Sequence, residues 1–141
     1  MNQVNASVTI TPSRVIIFEN NEHLLKSMVS YLMIDGYDVT GVRDADEFRR
    51  HLSRHSYCVA ILAVDLPDNS GLLLTEFVQK NSTLRIITLS NNSFAGNRMA
   101  CLNAGADIYL IKPFNFRLLS ASVGILIRRS YSVPWMPAMF G

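Results

Sequence analysis

What this sequence has little of narrows it quickly. Only 17% of its 141 residues are charged, and 13 basic against 11 acidic side chains leave a formal net charge of +2. A balance so close to neutral does not mark a nucleic-acid or anionic-membrane surface in this piece itself. No apolar run approaches the ~18 residues of a membrane helix. The Ser/Thr/Asn-rich start, Met1 to Arg14, has no apolar centre for a signal peptide. There are just two cysteines, Cys58 and Cys101, both in apolar-periodic segments. They read as reduced core thiols and not as a disulfide framework. Internal repeats are lacking as well. Together these absences describe a soluble, cytoplasmic, single-domain protein.

What is present is apolar. Hydrophobic residues make up 49% of the chain, which excludes disorder for its bulk. A chain of this size buries roughly 68–70% of its unfolded surface. After a flexible arm over 1–14, two periods alternate. Val15-Ile16-Ile17-Phe18 is a continuous apolar run, the mark of a strand covered on both faces. Asn20 or Asn21 then caps a helix carrying Leu24, Leu25, Met28, Val29 and Leu32, which Gly36 ends. A strand over 37–42 leads to a helix opened by Asp44 or Asp46, with Phe48 and Leu52 on one face. Cys58 to Ala63 is a third strand, and the loop formers of 65–71 precede a helix through Leu72, Leu73, Phe77 and Val78. A fourth strand over 85–89, a weakly patterned helix over 93–104, a fifth strand over 108–111 and a last helix capped by Asn115 complete the series.

Five strand–helix pairs with short connections specify an α/β, doubly wound (βα)5 three-layer sandwich around a five-stranded parallel sheet. In such sheets the functional crevice lies at the carboxyl ends of the strands. That singles out Glu19, Asn20, Ala63 to Asp65, Ser90, Asn91, Lys112 and Pro113.

The run Ala104-Gly105-Ala106-Asp107-Ile108-Tyr109-Leu110-Ile111-Lys112-Pro113-Phe114 resembles the fifth-strand segment of response-regulator receiver domains, the flavodoxin-like phosphoacceptor modules of two-component signalling. Pro67, Gly71 and Ser90 sit at that family's spacing too, and the resemblance covers about residues 14 to 130. It implies two acidic residues after the first strand to hold magnesium, and an acceptor aspartate at the end of the third. It also implies a hydroxyl and a lysine that contact the phosphoryl oxygens. Here those two positions are Glu19 and Asn20, so one carboxylate is lost, and the acceptor position is Ala63. A methyl group cannot attack a phosphoryl donor. The hydroxyl and the lysine survive as Ser90 and Lys112. Glu19, Asn20, Ala63, Asp65, Ser90 and Lys112 therefore read as a degenerate phosphoacceptor pocket that catalyses nothing and holds neither metal nor cofactor.

Asp65 and Asp68 are the carboxylates near enough to replace the acceptor. The sharper possibility is phosphorylation on Asp65. The plainer one makes Asp65 a pocket-edge or turn residue partnering Lys112, and Asp68 a solvated turn former; in-line attack tolerates little displacement, which favours it. Lys112, a lysine in a strand-end crevice, is expected to pair with Glu19, Asp65 or both. No histidine falls at a strand end to activate Ser90, and the turn over 19–22 lacks the glycines of a flavin phosphate cradle. Arg49, Arg50, His51, Arg54 and His55 read as a solvated helix face.

The last helix is apolar around roughly 240° of its circumference, where a helix on a sheet needs a stripe of about 100°. Leu119, Val123 and Leu126 make the core stripe; Leu118, Ala121 and Ile125 make a second that the sheet cannot bury. In related winged-helix regulators the face of the fourth helix, fifth strand and fifth helix is a dimer interface laced with charge. Here Ile108, Leu118 and Ser122 replace charged positions, and Arg98, Asp107 and Arg117 remain for a rim, with Tyr109 and Ala121 between. The apolar, uncharged 131–141 segment reads as a linker or the start of an output domain lying outside this chain, through which alone DNA would be contacted. The expectation is a phosphorylation-independent regulatory and dimerisation domain of a transcription factor, with a stand-alone protein-interaction adaptor as the competing reading.

Overall fold

The computed structural model describes residues 13–92 and 95–130. Five strands and five helices alternate along them: β1 (Arg14–Phe18), α1 (Glu22–Ile34), β2 (Asp38–Val42), α2 (Ala45–Arg54), β3 (Val59–Ala63), α3 (Ser70–Asn81), β4 (Arg85–Ser90), α4 (Ala95–Ala104), β5 (Ile108–Ile111) and α5 (Phe116–Ser130). The sheet is parallel throughout, in the order β2-β1-β3-β4-β5. The flavodoxin-like α/β sandwich is thus the fold. Arg14, expected in the arm, is the first residue of β1, paired with Asp38. The rest of the expected arm, apart from Ser13, and the 131–141 segment lie outside the described residues.

Period-two alternation splits the apolar strands between two cores. Val15, Ile17, Val59, Ile61, Ile87, Leu89 and Leu110 face α1 and α5, where Leu25, Met28, Leu32, Leu119, Val123 and Leu126 meet them. Ile16, Phe18, Val42, Ala60, Leu62 and Ile86 face the other side, against Phe48, Leu74, Val78 and Cys101 of α2, α3 and α4. Local chemistry starts and stops the helices. The Asn21 side chain accepts the Leu24 N–H at 2.9 Å and Asp44 accepts the Glu47 N–H at 2.8 Å, each satisfying an amide that the first turn leaves open. Gly36, at φ +100°, takes the left-handed position just past α1.

Two expectations shift in α3 and α5. The buried side of α3 is Gly71, Leu74, Thr75 and Val78, and Leu73 is exposed; three successive leucines carry no phase of their own. In α5, Ser122 is buried with its hydroxyl on the Leu118 carbonyl, so it does not belong to an exposed interface. Gly71 is required by contact: a Cβ there would stand 1.8 Å from the Ala63 carbonyl oxygen. That contact seats the start of α3 on the end of β3, at the rim of the crevice.

Candidate functional site

The carboxyl ends of β1, β3, β4 and β5 bring the sequence-predicted residues together. Glu19 follows β1 directly and is 1% exposed. Its Oε1 accepts the Lys112 Nζ at 2.8 Å and its Oε2 accepts the Asn21 N–H at 3.0 Å. Lys112, just past β5, is held by its own N–H on the Ser90 carbonyl at 2.7 Å and precedes a cis bond to Pro113. This is a buried ion pair whose carboxylate is satisfied on both oxygens.

Of the two partners expected for Lys112, Glu19 and Asp65, it takes Glu19 and not Asp65. Asp65 turns toward β4 instead. Its Oδ1 accepts the Ser90 hydroxyl at 2.7 Å and its Oδ2 accepts the Asn91 N–H. Ser90 Oγ in turn accepts the Asn92 N–H at 2.9 Å and the Asn97 Nδ2 at 3.1 Å. Asn97 also donates to the Tyr109 hydroxyl at 2.6 Å, and that hydroxyl donates to the Asn92 carbonyl. Asp68 is the turn former expected, accepting the Ser70 N–H at 3.0 Å. That N–H lowers the Asp68 carboxyl below its ordinary range, chiefly through the backbone hydrogen bond.

Asn20 and Ala63 take the remaining places. Asn20 is exposed, and its backbone carbonyl accepts the Arg43 guanidinium through Nε at 3.2 Å and Nη2 at 3.1 Å. Ala63 is buried, presenting only a methyl group. Magnesium binds anionic oxygens and keeps several waters. The donor set here does not fit it: Glu19 has both oxygens committed, Asn20 is an amide, and Asp65 is committed to β4. Among the described residues no group of three or more His, Cys, Asp or Glu could hold a metal ion.

Sequence reasoning missed Asn92, Asn97 and Arg43. A polar residue on the inner side of a weakly patterned helix was the one available signal for Asn97. Arg43 lies in a turn whose path the sequence does not show.

Beside this crevice, α4, β5 and α5 present exposed apolar side chains. Leu118 is 50% exposed, Ile125 37%, Met99 56% and Leu102 41%, and Ala121 is exposed between the first two. Ile108 is half-buried, Arg117 is exposed and the Arg98 guanidinium lies 5.5 Å from the Tyr109 ring centroid. Asp107, expected on a free charged rim, is spent inside the chain. Its Oδ2 accepts the Ile86 N–H at 2.7 Å and its Oδ1 lies 3.7 Å from Arg85, because it opens β5 beside the start of β4.

Residues 15–124 match the family model of the response regulator receiver domain. The transcriptional regulatory protein BasR of Escherichia coli is 32% identical over 117 residues, 82% of this chain and 53% of that protein. The transcriptional regulatory protein GltR of Pseudomonas aeruginosa is 32% identical over 119 residues, 82% of this chain and 49% of that protein. The chain therefore spans about half the length of these curated relatives. Among solved structures, a CheY-like receiver domain from Methanospirillum hungatei superposes with a TM-score of 0.79 at 27% identity, covering 84% of this chain and 96% of that one. The receiver domain of the Francisella response regulator 1452 does so at 0.78 and 25% identity, covering 84% and 98%.

Proposed function

The chain belongs to the response regulator receiver domain family, and on that premise we propose that it is a regulatory and dimerisation domain of a transcriptional regulator that works without aspartyl phosphorylation. The observation that carries this reading is the end of β3, where Ala63 offers no nucleophile while Lys112 is already held by Glu19. Asp65 is no substitute. Both of its oxygens accept hydrogen bonds from the end of β4, and in-line attack tolerates little displacement from the acceptor position that Ala63 holds. The domain then acts by contact, as a non-enzyme. No helix among the described residues is long and apolar enough to cross a membrane.

Self-association through α4, β5 and α5 supplies the output. Its centre is Leu118, Ala121, Ile125 and Ile108, and Arg98 and Arg117 form the rim. Contact with DNA in such a regulator falls to a further domain, in keeping with relatives that are transcriptional regulatory proteins of which this chain spans about half.

Acetyl phosphate with magnesium tests the chemistry. The intact mass stays unchanged on this reading. A stable adduct about 80 Da heavier, abolished by Asp65→Asn, overturns it in favour of a receiver phosphorylated on Asp65.

A further inference from the structure

We propose that the place at the carboxyl end of β4 where the family's hydroxyl receives phosphoryl oxygens is filled permanently in this chain by its own carboxylate, Asp65. Two donors of different origin, the Ser90 hydroxyl and the Asn91 N–H, reach different oxygens of this one group. Such a fork suits any small planar or tetrahedral oxyanion, and hydrogen bonds to a charged acceptor are roughly twice as strong as neutral ones. Lys112, the nearby cation, is held by Glu19 and does not compete for Asp65.

The occupant is connected to the surface. The Ser90 hydroxyl gives its one proton to Asp65 and accepts from Asn92 and Asn97, which uses its full hydrogen-bonding capacity. Asn97 spends its second amide hydrogen on Tyr109, and Tyr109 closes the circuit on the Asn92 carbonyl. Asp65 is the only charged member of this circuit. Through it, a group on the loop after β3 is linked to Asn97 of α4 and to the ring over which Arg98 lies. The α4–β5 surface is thereby kept in one arrangement with no incoming ligand.

This deepens the reading above, in which no phosphoryl group arrives, and its test is separate. Labelling by a phosphodonor probes Asp65 as an acceptor; the experiment here uses none. In the full-length chain, amide exchange at Asn91 and Asn92 is followed by NMR in wild type, Asp65→Ala and Asp65→Asn. Loss of the anion should speed exchange at both amides about ten- to a hundredfold in Asp65→Ala. Sodium formate should restore protection, and sodium chloride at equal ionic strength should not. The Tyr109 ring resonances should move with the amides and return with formate. Unchanged exchange in Asp65→Ala, or acceleration that formate reverses no better than chloride, overturns the proposal. If Asp65→Ala does not fold, the isosteric Asp65→Asn decides. It offers a carbonyl oxygen to one donor and an amide to the other, so an intermediate acceleration is expected and wild-type exchange is disqualifying.

Discussion

A carboxylate that is 1% exposed, with one ammonium at 2.8 Å, sets firm expectations at the scale of single residues. Removing one partner of a buried pair leaves an uncompensated charge, at a cost of about 3–5 kcal/mol. Lys112→Met should therefore lower the free energy of unfolding in urea by that order near neutral pH. The double variant Lys112→Met with Glu19→Gln should recover a large part of it, since a neutral amide is less costly to bury. A double variant no more stable than the single one would contradict the pairing. Gly71→Ala belongs to the same scale: its Cβ would meet the Ala63 carbonyl at 1.8 Å, backbone against backbone, and the chain should lose more than the ~1–3 kcal/mol of ordinary overpacking. The identity of the crevice residues was legible in the sequence, because strand order alone brings Glu19, Ala63, Ser90 and Lys112 to one edge. The pairing of Lys112 with Glu19 was legible too, but the partner of Asp65 was not. Whether Asp65 reaches Lys112 or Ser90 depends on the path of the turn between Val64 and Pro67, and a turn former can serve either.

Among the elements, α5 shows how far periodicity goes. Leu119, Val123 and Leu126 are fully buried, and Leu118, Ala121 and Ile125 are exposed, as two stripes of one helix require. In α3 the same logic failed at Leu73, because the run Leu72-Leu73-Leu74 fits any phase and the close seat of Gly71 on β3 chooses Leu74. The exposed stripe of α5 carries a prediction about assembly. Leaving a large aliphatic side chain in water instead of burying it is unfavourable by about 1.5–3 kcal/mol, which a two-fold contact would relieve at Leu118 and Ile125 of both copies. Sedimentation at micromolar concentration should then show a dimer that Leu118→Asp splits without change in the circular dichroism spectrum. A wild-type monomer unaffected by that substitution would refute the contact. Arg98 and Arg117 on the rim have no free acidic partner in Asp107, which is bound to Arg85 and the Ile86 N–H. In such a dimer the apolar centre would have to dominate, and added salt should strengthen it by screening like charges.

For the molecule as a whole, burial is uneven. β1, β3 and β4 form the dry centre, and α1 buries Leu25, Met28 and Leu32 against it. Among the described side chains of α4, Cys101 alone is buried, and the Asn97 hydrogen bonds and the contact of Arg98 with the Tyr109 ring tether it further. A helix held by so little apolar surface should open by itself, well below the free energy of global unfolding. Cys101 reports on that opening. Burial pushes its thiol pKa up, with Thr88 opposing and Asp65 assisting, so the reactive thiolate is scarce while the helix is docked. In a Cys58→Ser background, Ellman's reagent near neutral pH should therefore label Cys101 faster than global unfolding permits. The labelling rate should rise with urea less steeply than global unfolding does, because a small opening exposes little surface. Asp65→Ala should accelerate labelling further while moving the global transition less, since the Asp65–Ser90–Asn97 chain ties α4 to the sheet. Labelling that follows the global transition with the same urea dependence in both backgrounds would show instead that α4 and the sheet open as one cooperative unit.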